Sequence, residues 1–297
     1  MLKRDDIRVR DPFIVLHNDT YYLYATKDDT SLSYYKSTDL KNFEEQRVCF
    51  TIPEDFWAVK DVWAAEVHKY NDRFYLFVSL LGKNGLRGTQ IAVADTPEGP
   101  FVPIKNGPAT PENQSCIDGT LFIDGDTPYI VYSHDWTSCY NKEKDCYIGE
   151  ICAAKLSEDL CDIIGEPTVL FRSVDVPLSN TAPAHTNLNG KTVVRYGSDA
   201  PFVQKLSDGK LFLTWSPYLT DNYVVLGAIS ENGNILGPWR HLSEPVFKDN
   251  GGHAMFFKDK TGRRCMCLHA PEIWNSERAH LFVMEEKNNT LEISKEV

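Results

Sequence analysis

Short apolar strands alternate with polar turns along almost the whole chain, and one hairpin pattern occurs five times. Each copy has an apolar strand, a turn with Asn, Asp or Gly, and a second apolar or aromatic strand, which is typical of a β-hairpin. A period near fifty residues with one long step predicts a β-propeller rather than a β-sandwich with similar hairpins. The first strands start at Pro12, Glu66, Thr120, Pro201 and Ala254, which are 54, 54, 81 and 53 residues apart.

A further strand pair follows each hairpin, so that one unit has about four antiparallel strands, as a propeller blade has. Helical periodicity is nearly absent, and strands such as residues 21–25 are apolar on both faces, as expected when neighbouring blades cover them. The sequence therefore predicts an all-β fold, a five-bladed β-propeller, as a single domain over residues 1–297. The third unit is longer than the others. Its extra residues, around residues 159–195, are interpreted as a loop between blades that shapes a pocket.

Charge and hydropathy exclude several classes of function. The chain has 31 basic and 42 acidic residues, a net charge of −11 and no basic stripe, so no nucleic-acid partner is expected. No apolar stretch has the length of a membrane span, so no membrane partner is expected. The chain enters its first repeat without an apolar leader. This predicts a cytoplasmic protein if Met1 is the native start, and a secreted or periplasmic one if a signal peptide was removed.

The cysteines raise the question of a metal site. Four of the eight lie between residues 139 and 161, which suggests zinc, but structural zinc sites usually have two close cysteine pairs and this chain has no CxxC. Buried free thiols are therefore the preferred interpretation, and no organic cofactor is expected. The cysteines are Cys49, Cys116, Cys139, Cys146, Cys152, Cys161, Cys265 and Cys267.

The residue in front of the first strand is acidic in three copies and a histidine in a fourth. In a propeller the innermost strands surround the channel, so equivalent residues meet at one mouth. Converging carboxylates shift one another's pKa, so that one serves as an acid and another as a base, as glycoside hydrolysis requires. A Ca²⁺ site is the competing interpretation, although calcium loops usually draw their ligands from one segment. The five residues are Asp11, Ala65, Asp118, Asp199 and His253.

Several stretches, in the same order, resemble glycoside hydrolase family 43, whose members are five-bladed propellers. The resemblance implies an inverting hydrolase that acts by single displacement. It also implies an oligosaccharide or polysaccharide substrate, from which α-L-arabinofuranosyl or β-D-xylosyl residues are removed. The matching stretches are Arg10-Asp-Pro-Phe-Ile14, Tyr21-Tyr-Leu-Tyr24, Trp63-Ala-Ala-Glu-Val67, Ile117-Asp-Gly-Thr-Leu-Phe122, Asp199-Ala-Pro-Phe202, Gly237-Pro-Trp239 and Gly251-Gly-His253.

The resemblance assigns a role to each acid. Asp11 matches the general base, Asp118 matches the aspartate that orients the acid and adjusts its pKa, and Asp199 falls where the family has its general acid. Family members usually read Glu-Gly-Pro there, and aspartate is one methylene shorter. Two hypotheses follow: an active hydrolase, or a degenerate propeller that binds glycan without cleaving it. Glu66, near the mouth, is a candidate for substrate binding and a substitute candidate for the acid. A propeller that binds protein partners is a third hypothesis, but it would not need three converging acids.

Other residues are candidates for substrate or metal binding. Trp63 and Trp136 lie at strand ends, where an aromatic ring can stack on a sugar. Arg278 either hydrogen-bonds a sugar hydroxyl or is an exposed arginine at a strand edge. His253 is either a buried structural histidine or the metal-site residue for a Ca²⁺ ion near the propeller axis, although no cofactor is required. His269, at the end of the last hairpin, is interpreted as structural.

Overall fold

The computed structural model describes residues 1–297, and 58% of them are in strands against 5% in helices. Five antiparallel sheets follow one another along the chain and form the blades of a β-propeller, which confirms the predicted fold class. Blades 1 to 5 are numbered in chain order.

The strand bounds of the five blades are as follows. Blade 1 consists of Leu2–Lys3, Phe13–His17, Thr20–Asp28, Ser31–Ser37, Asn42–Phe43 and Arg47–Thr51. Blade 2 consists of Ala58–Tyr70, Arg73–Gly82, Arg87–Ala94 and Val102–Pro103. Blade 3 consists of Cys116–Asp124, Thr127–His134, Glu150–Leu156 and Ile163–Arg172. Blade 4 consists of Asp199–Lys205, Leu211–Ser216, Leu226–Ser230 and Trp239–His241. Blade 5 consists of Gly252–Lys258, Arg264–Ala270, Arg278–Lys287 and Thr290–Glu296.

The innermost strands close into a ring around the channel. Each contacts the innermost strands of both neighbouring blades, and the strand of blade 5 contacts that of blade 1. Two ion pairs strengthen this closure, because Arg8 Nε lies 3.0 Å from Glu277 and Arg10 Nη1 lies 2.8 Å from Glu272. The Glu277 side chain is completely buried, so its pairing with Arg8 prevents an uncompensated charge at the seam.

Burial explains why the second strand of each blade has no polar face. Every residue of Leu211–Ser216 in blade 4 is buried, as are all residues from Phe74 to Leu80 in blade 2. Trp215 is fully buried in the second strand of blade 4. Blades on both sides cover such a strand, and the apolar runs in the sequence reflect this covering.

The long third unit does not form a single loop, contrary to the sequence interpretation. Residues 163–172 form the outer strand of blade 3, and Pro177–Thr181 is a short α-helix. Four short strands form a separate sheet, here named the rim sheet: Tyr140–Asn141, Cys146–Ile148, Ala184–Leu188 and Lys191–Tyr196. Cys146 pairs with Val194 in parallel, so the partners are far apart in sequence and a local pattern cannot reveal them.

The remaining elements are short. A two-stranded hairpin consists of Tyr218–Leu219 and Asn222–Tyr223, and 3₁₀ turns cover Arg4–Asp6, Trp136–Ser138 and Ser173–Asp175. The only α-helix has five residues, and no helix has the length and apolar character needed to cross a membrane.

Candidate active site

One residue at the entry of every innermost strand adopts the left-handed backbone conformation. In blades 2 to 5 the strand pairing is interrupted at this residue and resumes two residues later. A bulge of this kind redirects a side chain and leaves a backbone N–H without a partner in its own sheet. The five residues are Asp11 (φ 51°), Ala64 (φ 48°), Asp118 (φ 55°), Ala200 (φ 54°) and His253 (φ 57°).

This structural register corrects the sequence alignment by one residue in blades 2 and 4. The equivalent residue is Ala64 rather than Ala65, and Ala200 rather than Asp199. Asp199 stands immediately before its bulge, as Trp63 does in blade 2. The alignment placed this residue by the apolar run that follows it, and such a run does not mark the exact residue at which a bulge stands.

In blades 1, 3, 4 and 5 a side chain from the preceding blade accepts the N–H of the residue with the left-handed backbone. In each case the donor lies one blade after the acceptor in the ring, and blade 5 provides the acceptor for blade 1. The mouth is therefore braced by contacts between blades, which fix the bulge residues in place. The donor and acceptor pairs are Asp118 N to Ser79 Oγ (2.8 Å), Ala200 N to Asp118 Oδ2 (3.0 Å), His253 N to Ser216 Oγ (3.0 Å) and Asp11 N to His269 Nδ1 (3.2 Å).

Asp11 is surrounded by cationic and hydrogen-bonding groups. Its Oδ1 lies 3.1 Å from His253 Nδ1, and its Oδ2 lies 3.6 Å from Arg10 Nε. Burial acts to raise the pKa of Asp11, but the positive charges of His253 and Arg10 outweigh it and hold the pKa well below 3.8. Asp11 is therefore a carboxylate that keeps its negative charge.

Glu272 lies behind Asp11 and holds its neighbours in place. His269 Nε2 lies 2.6 Å from Glu272 Oε2, and Arg10 Nη1 donates to the same carboxylate at 2.8 Å. The hydroxyl of Tyr218 also donates to Glu272. Burial acts to raise the pKa of Glu272, but the hydrogen bond from His269 and the charge of Arg10 lower it to about 2. When Nε2 of His269 donates to Glu272, its Nδ1 is free to accept the N–H of Asp11.

The sequence interpretation of His269 as structural missed this contact. His269 is completely buried and pairs with Gly252, the residue before the bulge of blade 5. Ser79 and Ser216 occupy the same position in blades 2 and 4. The signal for this contact was the last residue of each hairpin copy. In three of the five copies, the side chain of that residue accepts the N–H of a left-handed residue in the next blade.

Asp199 has a different electrostatic environment, although it faces the same mouth. Burial raises the pKa of Asp199, and the negative charges of Asp118 and Asp135 raise it further, against the opposing charge of Arg195. The hydroxyl of Tyr223 lies 3.5 Å from Asp199 Oδ2, at the limit of a hydrogen bond. The environment therefore favours the protonated form of this carboxyl group.

Asp118 connects the two sides of the mouth. Its side chain is buried, and its Oδ2 accepts the N–H of Ala200, the residue next to Asp199. Burial raises the pKa of Asp118, and the charge of Asp11 adds to this effect. Asp118 thus both positions the backbone beside Asp199 and supplies a negative charge near it.

The chain matches the sequence profile of glycosyl hydrolases family 43 over residues 6–284. It belongs to glycosyl hydrolases family 43. The crystal structure of an endo-arabinase from Bacteroides thetaiotaomicron is similar to it, with a TM-score of 0.87 and 34% identity over 97% of this chain and 98% of that one.

Two curated relatives of this family 43 chain are more distant. Xylosidase/arabinosidase 43A of Humicola insolens is 25% identical over 49% of this chain and 50% of the relative. An extracellular exo-α-(1→5)-L-arabinofuranosidase of Streptomyces avermitilis is 20% identical over 85% of this chain and 52% of the relative. The chain spans about half the length of the curated relatives it matches.

Glu66 does not reach the open mouth of this family 43 propeller. The residue is 3% exposed, and its Oε2 lies 2.8 Å from His68 Nε2. The ring of His68 in turn contacts Phe13 and Phe202, which belong to other innermost strands. Glu66 therefore lies within the channel, paired and covered, and the structure does not bring it to the position of a substitute acid.

His253 is placed against Asp11 rather than among metal ligands. Burial acts to lower the pKa of His253, but Asp11 outweighs it and raises the pKa to about 9. A Ca²⁺ ion takes six to eight oxygen ligands, and the side chains around His253 do not form a group that could hold an ion by themselves. The Ca²⁺ near the propeller axis stays a prediction.

Three tryptophans at the rim of the mouth each have one ring face covered by the guanidinium group of an arginine. Trp63 is 41% exposed and Trp274 is 73% exposed, so both offer ring surface to solvent. A sugar can stack only on the face that the arginine leaves open. Sequence reasoning missed Trp274 because it lies in a loop and not at a strand end. The pairs, with the distance from guanidinium carbon to ring centroid, are Arg87 over Trp63 (4.1 Å), Arg195 over Trp136 (5.0 Å) and Arg8 over Trp274 (4.6 Å).

Arg195 lies at the mouth, and Arg278 does not. Arg278 donates from Nε to the carbonyl of Asp5 and from Nη1 to that of Glu277, both at 2.8 Å, so it ties the N-terminal turn to blade 5. Arg195 also lies over the ring of Tyr218 at 4.5 Å, and its Nε is buried without a hydrogen-bond partner. It comes from the rim sheet, whose pairing the sequence did not reveal.

Proposed function

We propose that this protein hydrolyses α-L-arabinofuranosyl or β-D-xylosyl linkages of plant-type oligosaccharides or polysaccharides, with inversion at the anomeric carbon. The observation that carries the proposal is the contrast in surroundings at one mouth. Asp11 lies against His253 and Arg10, which favour its ionised form, whereas burial and the acidic Asp118 and Asp135 favour the protonated form of Asp199. An inverting hydrolase needs such a pair, since one carboxylate activates water while the other carboxyl group protonates the departing oxygen.

In the proposed step, Asp11 takes a proton from water as the water oxygen bonds to the anomeric carbon. The glycosidic C–O bond breaks at the same time, and Asp199 gives its proton to the leaving oxygen. Asp118 raises the pKa of Asp199 and orients its backbone through Ala200. No cofactor is required for this exchange of protons.

The relatives support a pentose-containing substrate. The endo-arabinase is 34% identical to this chain over nearly its full length, which favours arabinose-containing glycans. The names of the other two relatives include exo-acting arabinofuranosidase and xylosidase, so terminal residues of both sugars are candidate targets. The Streptomyces relative is named extracellular, which favours the secreted location over the cytoplasmic one.

Glycan binding without hydrolysis is the second candidate function, because Asp199 is one methylene shorter than the glutamate typical of the family. A misplacement of about 1 Å can reduce a rate by about 100-fold. The glycan-binding alternative therefore rests on Asp199, and a substitution of Asp199 tests it.

The decisive experiment measures the anomeric form of the first product by NMR on aryl α-L-arabinofuranosides, aryl β-D-xylosides and linear arabino-oligosaccharides. Hydrolysis with inversion supports the proposal, and a retained anomer contradicts it. No turnover on any of these substrates, together with retained binding of the oligosaccharides, supports the glycan-binding alternative. In Asp199→Glu, a higher rate would show that the site accepts the longer acid, and a lower rate would show that blade 4 is adapted to aspartate.

A further inference from the structure

A second cluster of chemically active side chains lies in blade 3, apart from the three carboxylates. His134 ends the second strand, and Glu150 begins the third strand directly opposite it. Cys139 follows the 3₁₀ turn Trp136–Ser138. One ligand atom from each of His134, Cys139 and Glu150 lies within 4.8 Å of the other two.

The polar atoms of this cluster are only partly satisfied. Nε2 of His134 is buried and has no hydrogen-bond partner, which is a costly state for a polar atom. Nδ1 of His134 lies 3.0 Å from Glu150 Oε2. Sγ of Cys139 makes only weak contacts with the backbone oxygens of His134, at 3.8 Å, and Asp135, at 3.3 Å. The imidazole and the thiol are therefore available to a further ligand.

We propose that His134, Cys139 and Glu150 bind one Zn²⁺ ion, with water as the fourth ligand. Zinc binds imidazole nitrogen, thiolate sulfur and carboxylate oxygen in tetrahedral sites, whereas Ca²⁺ and Mg²⁺ prefer oxygen alone. The thiol proton is released to solvent when the Zn–S bond forms. This site does not depend on the proposed hydrolysis.

The cluster opens into a cleft and lies beside one arginine. The same three residues line a cleft of about 220 Å³, which gives an ion and a water molecule access. Arg172 Nε lies 2.8 Å from Glu150 Oε1, and the arginine side chain is 51% exposed. Each carboxylate oxygen accepts more than one partner, so Glu150 can contact the ion and keep Arg172.

The position of the ion suggests its effect on the molecule. Cys139 and His134 enclose the turn that carries Asp135 and Trp136, and Asp135 Oδ1 already accepts the N–H of Thr137 at 2.8 Å. Zinc would cross-link the two ends of this turn and hold Trp136 at the rim of the mouth. Loss of the ion should therefore lower the thermal stability of the protein.

The test uses the full chain after removal of metal by EDTA and dialysis, with Co²⁺ and then Zn²⁺ as probes. We expect one Co²⁺ per chain, a thiolate-to-cobalt absorption band in the near ultraviolet, and loss of that band when Zn²⁺ displaces Co²⁺. Cys139→Ser should abolish the band. Cys161→Ser, which removes another half-buried thiol of the same blade, should retain it.

His134→Gln provides a second variant, which should weaken Zn²⁺ binding in calorimetry by at least about 10-fold. Circular dichroism of each variant checks that it is folded. The proposal is overturned if the wild-type chain binds no stoichiometric Co²⁺ or Zn²⁺, or if the band persists in Cys139→Ser.

Discussion

Two regions of the same mouth hold the same type of residue in opposite electrostatic surroundings. On the side formed by blades 1 and 5, Asp11 lies against the cationic His253. On the side formed by blades 3 and 4, Asp199 has the acidic Asp118 as a neighbour and Arg195 as the opposing charge. The identity of the residue therefore does not determine its protonation, because neighbouring blades supply the charges that do.

The difference follows from which blades meet on each side. The seam between the first and last blades is closed by Arg8 and Arg10, which pair with Glu277 and Glu272, so cations concentrate there. The seam between blades 3 and 4 has no such pairs, and Asp118 reaches across it to the backbone of Ala200. The same N-terminal segment thus closes the ring and, through Arg10, lowers the pKa of Asp11.

The largest expected effect is on kcat, and the two carboxyl groups should differ in how strongly the loss depends on the leaving group of the substrate. Asp11→Asn and Asp199→Asn should each reduce kcat on oligosaccharides by about 10² to 10⁴-fold, the usual contribution of a general base or acid. A dinitrophenyl glycoside has a leaving group that needs no proton, so it should restore much of the rate of Asp199→Asn and little of that of Asp11→Asn. Steady-state kinetics on both substrate types provide the measurement.

Asp72→Asn is the matched control for these variants, because the Asp72 side chain is 98% exposed and has a positive φ, as Asp11 has. Its kinetics should equal those of the wild type. Equal rescue of Asp11→Asn and Asp199→Asn by the dinitrophenyl substrate would show that the two carboxyl groups do not have separate roles.

A smaller effect is expected on the pH profile of kcat/KM. The charge of Asp118 raises the pKa of Asp199, so Asp118→Asn should move the alkaline limb to lower pH. The charge of His253 lowers the pKa of Asp11, so His253→Asn should move the acidic limb to higher pH. Asparagine tolerates the left-handed backbone at both positions.

The two variants serve as controls for one another, since Asp118→Asn should move mainly the alkaline limb and His253→Asn mainly the acidic limb. The charge of His253 also lowers the pKa of Asp199, but it acts after those of Asp118, Asp135 and Arg195. A thermal melt of each variant tests whether a change in folding accounts for the loss of activity. If both variants moved the same limb by similar amounts and left the other in place, the mouth would titrate as one unit and the contrast between its sides would be wrong.

The smallest effect concerns Tyr223, the hydrogen-bonding group on the Asp199 side. Its hydroxyl lies 3.5 Å from Asp199 Oδ2, so the contact is weak. A weak hydrogen bond contributes about 0.5 kcal/mol, and Tyr223→Phe should therefore reduce kcat by only about 2-fold. A loss of 100-fold in the same assay would mean that Tyr223, and not burial with its acidic neighbours, controls Asp199.

Much of the fold could be predicted from local patterns. Five apolar hairpins at a near-constant period predict five blades, because each blade buries the same kind of strand in the same place. The pattern also placed Asp11, Asp118 and His253 at equivalent positions, which share a positive φ in the structure. It failed by one residue at Ala64 and Ala200, because an apolar run does not mark the exact residue at which the bulge before it stands.

The rest of the site could not be predicted because its contacts join distant segments. Arg195 belongs to a sheet whose strands pair across about fifty residues of sequence, and His134 meets Glu150 only through the pairing of two strands. The cysteine spacing argued against zinc, since the other two ligand types are not cysteines. Trp274 stands in a loop, where no periodic signal marks it.

By itself, the sequence determined the number of blades and which carboxyl groups meet at the mouth, since both depend on a repeat that is local. Only the tertiary structure decided which of these groups is ionised. The pKa of Asp11 depends on His253, and that of Asp199 depends on burial and Asp118, in each case across a boundary between blades. Electrostatic interactions and desolvation act over a few ångströms in space, and sequence separation gives no measure of that distance.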